Sequence, residues 1–353
     1  MTERMTAVLN SAKEYDAVII TSPVAKRYLT GFECGDAGTL LITAQDAYFI
    51  IDARYFEAAE RDVSSAKVLL QNKLYDQITQ LLGGASKAAV QSEITCRSLE
   101  QMRSALGGVT LSPCEAVDKA IERMRTVKTQ AEIDNIINAQ RIAEKAFSHI
   151  LNFIREGVTD IEIAAELEYI MRKNGAEGMS FDTIAVSGEE TSVPHGVPTG
   201  RKVRPGDFIT MDYGALLGGC HSDMTRTVAF GFATDEMRAV YDTVLKAQLA
   251  ALSVLKAGLA CSEGDAAARS VIEKAGYGEY FTHSTGHSVG YEIHESPNLS
   301  RLSKDSLQAG NVVTVEPGIY IPGRFGVRIE DMALITEGGC IGLTNSEKEL
   351  IIL

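Results

Sequence analysis

The stretch MDYGALLGGCHSDMTRT (residues 211–227) decides how the second part of this chain is read. Two aspartates, Asp212 and Asp223, flank a glycine-bearing segment, and residues that face each other in an antiparallel hairpin are equidistant from its turn. Pairing Asp212 with Asp223 centres the turn between Leu217 and Gly218, where glycine supplies the positive φ that a two-residue turn requires. A second stretch, VVTVEPGIYIPGRFGVRIEDMALIT (312–336), repeats the arrangement with glutamates: Glu316 and Glu330 are equidistant from Gly323, the middle of a three-residue loop. Each hairpin is expected to offer one carboxylate per strand.

Directly opposed side chains have Cβ atoms about 4.5 to 5.5 Å apart, and carboxylates at that range resist joint ionisation. Four in one site resist it more, and two divalent cations would balance their charge. Adding His287 from STGHSVG (284–290) gives a donor set of Asp212, Asp223, His287, Glu316 and Glu330. Rich in oxygen, with one imidazole and no thiolate, the set suits Mn²⁺ or Co²⁺ at least as well as Zn²⁺. Two such ions about 3.5 to 4 Å apart generate hydroxide from bound water at neutral pH and polarise a carbonyl.

Length and composition limit the alternatives. A chain of 353 residues predicts about two domains, and 45% hydrophobic with 23% charged residues is the balance of a soluble globular protein. Apolar runs such as TLLIT (39–43) and AYFII (47–51) fall far short of the roughly 20 residues of a membrane span. No apolar segment typical of a secretory signal follows the N-terminus. A net charge of −13 opposes nucleic-acid binding. Cys34, Cys96, Cys114, Cys220, Cys261 and Cys340 form no CxxC pair and read as reduced thiols of a cytoplasmic protein.

Residues 1–120 alternate β-rich runs with helical ones, predicting an α/β domain with a mostly buried sheet. Asp52, Arg54 and Tyr55 mark a solvated strand end there, with contact to a partner or a substrate tail as the alternative. The second domain, 121–353, follows a polar, helix-prone stretch. Thr159 and Glu162 form a capping box that opens one of its helices. Two helices followed by a ligand-bearing hairpin occur twice, predicting an α+β domain with pseudo-symmetric halves and its site between them. Gly286 and Gly290 argue against a helix through His283, His287 and His294, leaving a loop followed by a strand.

MDYGA (211–215), SDMTR (222–226), HSTGHSVGYEIHE (283–295), EPGIY (316–320) and VRIED (327–331) together resemble the aminopeptidase P and prolidase family of metallopeptidases. The likeness covers the whole C-terminal domain, and YLTGF (28–32) is similar to the creatinase-like N-terminal domain of that family. The resemblance implies a pita-bread catalytic domain, two divalent ions with Mn²⁺ foremost, a homodimer whose N-terminal domain borders the neighbouring active site, and hydrolysis of N-terminal Xaa-Pro bonds. It further implies that Asp223 and Glu330 bridge both ions, that Asp212 binds one, and that His287 and Glu316 bind the other. His195 in VPHGV (193–197), His283 and His294 would surround the peptide substrate, with His195, His294, Glu316 and Arg328 taking part in catalysis. Arg328, two residues before Glu330, shares its strand face and can orient a carboxylate or receive a substrate carboxyl end. His149 and His221 are read as structural.

The sequence departs from the family's commonest pattern at Ser284, Ser288 and Tyr291, none of them a ligand. A creatinase-type hydrolase or a partner-binding relative would be expected to lose donors that are present here. A methionine aminopeptidase would lack the preceding domain. Dipeptidase and aminopeptidase stay equally open.

Overall fold

Apolar runs become the strands of the N-terminal sheet. AVII, TLLIT and AYFII form Ala17–Ile20, Thr39–Thr43 and Ala47–Ile51, buried at all but one position. Burial on both faces explains why they read as continuous rather than alternating hydrophobic sequence. They lie within a six-stranded mixed sheet, in the order Lys67–Leu70, Ala47–Ile51, Thr39–Thr43, Ala17–Ile20, Lys87–Val90, Thr110–Pro113. Just past Ala47–Ile51, Asp52 pairs with Arg54 at 2.8 Å, the arginine side chain 77% exposed.

The computed structural model describes all 353 residues, which divide into units Met1–Arg125 and Thr126–Leu353. A cut at 120/121 would fall inside the helix Glu115–Thr126, whose Val117, Ile121 and Arg125 are buried at four-residue spacing. That stripe holds the stretch as one helix, so the division comes at its end.

In the second unit the helices Gln130–Phe153 and Asp160–Lys173 both open with complete capping boxes, Thr129 with Glu132 and Thr159 with Glu162. Ile142, Ala146, Ile150, Ile163 and Leu167 from this pair pack on Ile209, Met211 and Val228. The helices Asp235–Val254 and Cys261–Lys274 repeat the arrangement, placing Val240, Val244, Ala268 and Ile272 against Val313, Val315 and Val327. One half contributes the sheet Met224–Ala229, Phe208–Tyr213, Ile184–Ser187. The other contributes Glu295–Leu299, Gly286–Ser288, Val312–Val315, Asp331–Ile335, Cys340–Gly342.

The second hairpin has the register expected of it. Ile321 pairs with Phe325 around Pro322-Gly323-Arg324, and Gly318 with Arg328. Val315 and Asp331 continue the same register. Glu316 and Glu330 sit where this hairpin passes from the five-stranded sheet into a two-stranded one. The first hairpin corrects the expectation by one residue. Leu217 pairs with Cys220 and Asp212 with Thr225, so Asp223 is not directly opposite Asp212. The turn is Gly218-Gly219, at φ 56° and 80°. A tight turn of this kind needs positive φ at both central positions, which two glycines satisfy and Leu217 would not.

Gly218→Ala is expected to lower unfolding free energy by about 1–2 kcal/mol through the left-handed backbone. Its new Cβ would also meet Asn135 Nδ2 at 2.4 Å. Urea denaturation checks this; unchanged stability would mean the turn lies elsewhere.

Candidate metal centre

Period-2 side-chain alternation carries the donors inward from both halves. Asp212 lies on Phe208–Tyr213, Asp223 just ahead of Met224–Ala229, and His287 on Gly286–Ser288. His287 therefore sits on a strand rather than in the expected loop, and the loop follows it, before the strand Glu295–Leu299. Gly286 permits this, because a Cβ there would fall 2.0 Å from Thr314 O. All five donors line one cavity of about 760 Å³ together with His195, His283, His294, Arg328, Phe181 and Ile293.

Within it, His287 Nε2 lies 3.4 Å from Glu316 Oε1 and 3.6 Å from Asp223 Oδ2. One ligand atom each from Asp223, His287 and Glu330 falls within 4.8 Å of the others. Each of three carboxylates has one oxygen engaged. Arg328 Nη2 donates to Asp212 Oδ2 at 2.7 Å, Thr225 Oγ1 to Glu330 Oε2 at 2.6 Å, and Thr314 Oγ1 to Glu316 Oε1 at 3.2 Å. Asp212 Oδ1, Asp223 Oδ1 and Glu330 Oε1 are buried and accept no hydrogen bond. Three buried carboxyl oxygens without partners, in a cavity that also presents an imidazole, are what a divalent cation completes, so the residues fit the group.

Protonation follows the same logic. Burial, then the charges of Glu330, Asp212 and Glu316, raises the Asp223 carboxyl well above its ordinary range. Burial, then Glu316 and Asp212, does so for Glu330. Burial pushes Glu316 up to about 8, against the pull of Arg328. Burial pushes His287 down to about 4. Its Nδ1 lies 3.1 Å from the Ser288 carbonyl, which can only accept, so the neutral ring carries its proton there and turns Nε2 toward the carboxylates.

Arg328 is placed as expected, facing the site, and its bonds define its work. Nε donates to Thr225 Oγ1, Nη1 to Tyr320 OH and Pro194 O, and Nη2 to Asp212. With five N–H donors on a guanidinium, one is left for a ligand, so orienting Asp212 is its main task. His283 Nδ1 likewise donates to the Ser284 carbonyl at 2.8 Å, leaving Nε2 to accept from Tyr320 OH at 2.8 Å. His294 stacks edge-on to His287 with ring centroids 4.4 Å apart. His195 and His294 are exposed at the cavity. His149 instead pairs with Glu166 at 2.6 Å.

Sequence reasoning missed Thr225, Thr314 and Tyr320. Thr225 and Thr314 each stand two residues from a donor on the same strand face, and that spacing was signal enough. Tyr320 stood inside a quoted motif, but its partners come from positions 283 and 328.

Two halves that meet around a buried cluster of carboxylates and one neutral histidine define a metallopeptidase catalytic domain of the pita-bread type. The chain belongs to metallopeptidase family M24, whose model matches residues 134–337, and it carries the Creatinase/Prolidase N-terminal domain over residues 4–127. It is 36% identical over 353 residues to an Xaa-Pro dipeptidase of Pyrococcus furiosus, covering 99% of this chain and 100% of the relative. Among solved structures it resembles an Xaa-Pro dipeptidase from Bacillus anthracis, with a TM-score of 0.94, 41% identity and 99% of each chain covered. It also resembles an X-Pro aminopeptidase from Thermotoga maritima, with a TM-score of 0.91, 35% identity, and 98% and 100% covered.

The raised carboxyls make stability depend on pH in the metal-free protein. Folded Glu316 keeps its proton to about 8, whereas the unfolded chain releases it near 4.5. His283 and His287, at about 4 when folded, stop contributing above their unfolded value of 6.5. Between pH 6.5 and 8 the folded state thus binds more protons through Glu316, so stability falls as pH rises. Thermal unfolding of chelator-treated protein should shift downward across that window. Saturating divalent cation should abolish the slope and release protons, read by calorimetry in buffers of different ionisation heat. A flat profile without proton release would contradict protonated buried carboxyls.

Proposed function

We propose that this metallopeptidase releases the N-terminal residue from peptides whose second residue is proline. The observation that carries the reading is a cavity in which Asp223, His287 and Glu330 bring ligand atoms within 4.8 Å of one another and Asp212, Asp223 and Glu330 each keep a buried oxygen without a partner. Asp223 and Glu330 would hold both ions, Asp212 one, and His287 and Glu316 the other. The closeness of Asp223, His287 and Glu330 supports that division; the oxygen-rich set suits Mn²⁺ or Co²⁺ at least as well as Zn²⁺, and the family resemblance puts Mn²⁺ first. Bound ions would make a water nucleophilic at neutral pH and polarise the scissile carbonyl.

The chain's own groups do the rest. Glu316 takes a proton from the nucleophile and passes it toward the leaving nitrogen, which before proline carries no hydrogen of its own. His294 donates to the oxyanion that develops at the attacked carbonyl. His195 holds the imino-acid side of the substrate, His283, its ring nitrogens engaged by Ser284 O and Tyr320 OH, lines that side by contact alone, and Arg328 keeps Asp212 oriented. A homodimer in the cytoplasm completes the reading. Six free cysteines support a reducing compartment. No helix is long and apolar enough to cross a membrane.

An Xaa-Pro dipeptide and the matching tripeptide, assayed with Mn²⁺, test the reading; hydrolysis of neither would end it. Asp223→Ala should leave less than about a hundredth of wild-type turnover. His294→Ala should lower kcat by roughly 10²-fold with KM nearly unchanged, because its partner charge exists in the transition state. An effect confined to KM would remove the oxyanion role.

A further inference from the structure

Outside the donor cluster, the second unit buries a lysine that the reaction does not use. Lys128 lies directly before the N-cap of helix Gln130–Phe153, with 2% of its side chain exposed. Its Nζ donates to Glu295 Oε2 at 2.9 Å and to Ser288 Oγ at 3.0 Å. We infer that Lys128 is a positioning residue for the site: by gripping Ser288 and Glu295 it sets the separation of the two imidazoles that precede them, His287 and His294.

Strand geometry gives the reason. On the strand Gly286–Ser288 adjacent side chains point to opposite faces, so drawing Ser288 to the Lys128 side turns His287 to the cavity side, and holding Glu295, the first residue of the next strand, fixes the end of the loop that carries His294. Ser288 and Glu295 are themselves partners across the two strands, at a register shift between His287 and Ser288. An irregular ladder fixes its side chains less well than a regular one, and the ammonium supplies a fixed point beneath it. Its surroundings are closed. Ser288 Oγ donates on to Val312 O at 2.8 Å, and Glu295 Oε1 accepts from Glu292 N at 3.1 Å. A Cβ on Gly290 would fall 2.6 Å from Glu295 Oε2, so the carboxylate fills the space beneath that glycine. Lys128 is anchored in turn, since its amide donates to Gly310 O at 3.0 Å and Asn311 Nδ2 donates to Thr126 O at 2.9 Å. The inference rests on the roles given above to His287 and His294.

The test uses full-length Lys128→Met, Lys128→Met/Glu295→Leu and Gly290→Ala. The readouts are Mn²⁺ affinity by calorimetry, kcat and KM on an Xaa-Pro dipeptide, and unfolding temperature. Lys128→Met is expected to weaken Mn²⁺ binding about 10–100-fold and to lower kcat by a similar factor with KM within about threefold, the range for partners that orient metal ligands. The double variant leaves no unpaired buried charge, so it should recover unfolding temperature while keeping the weak binding and low kcat. Gly290→Ala should reproduce the loss by displacing Glu295. Recovery of affinity and kcat together with stability in the double variant would overturn the proposal, as would folded Lys128→Met with wild-type affinity and turnover. Should Lys128→Met fail to fold, the double variant and Gly290→Ala decide by the same criteria. If the wild type leaves Xaa-Pro peptides intact, the function proposed above falls, and the Mn²⁺ affinities still decide the role of Lys128.

Discussion

Four clustered carboxyl groups in one cavity set the terms for the rest of the catalytic domain. Asp212, Asp223, Glu316 and Glu330 share it with Arg328, the one lysine or arginine among its lining residues. A buried polar atom left without a partner costs about 1–3 kcal/mol, and three such oxygens are present. Against a typical domain stability of roughly 5–15 kcal/mol, that is a large standing penalty. In the metal-free chain a proton kept on Glu316 up to about 8 lessens the repulsion among the carboxyls but supplies none of these three oxygens with a partner; divalent cations would do both.

Hydrogen bonding divides each carboxylate into a held oxygen and an open one. Arg328 holds Asp212, Thr225 holds Glu330, and Thr314 holds Glu316. Held oxygens fix the rotamers, and those left open on Asp212 and Glu330 face the cavity without competition from protein donors. Thr225 serves twice, accepting from Arg328 while donating to Glu330. A single hydroxyl thereby links the aspartate of one half to the glutamate of the other.

How much of this was legible depended on how far apart in sequence the partners lie. The pseudo-repeat of two helices and a hairpin and the register about Gly323 follow from local periodicity and turn chemistry, whereas the set of five candidate donors needed the motifs that surround them. The first hairpin slipped by one residue because the aspartates were assumed to oppose each other, although Gly218-Gly219 marked the turn more strongly than the carboxylates did. The polar, helix-prone stretch between the domains is the helix Glu115–Thr126, and the two compact units divide at Arg125/Thr126, its C-terminal end. The link from Thr225 to Glu330 spans 105 residues and that from Lys128 to Glu295 spans 167. No local pattern encodes such pairs; only the folded topology brings them together.

The seam between the halves explains why a cluster of like charges does not push the domain open. Glu330 N donates to Thr225 O at 3.1 Å, so the ladder of one half continues onto the other at the donor itself. Arg226, 1% exposed, donates to Glu330 O and to Asp331 Oδ1, and reaches Ser346 O and Glu347 O. Asp331 also accepts from Gln248 and Lys348. These bonds lie behind the carboxylates, on the side away from the cavity, and all their donors and acceptors are protein groups. The halves are therefore fastened by a network that needs no cation, one residue removed from the residues that do. Binding energy from a cation need not be spent on bringing the halves together, and goes to neutralising a site whose geometry already exists.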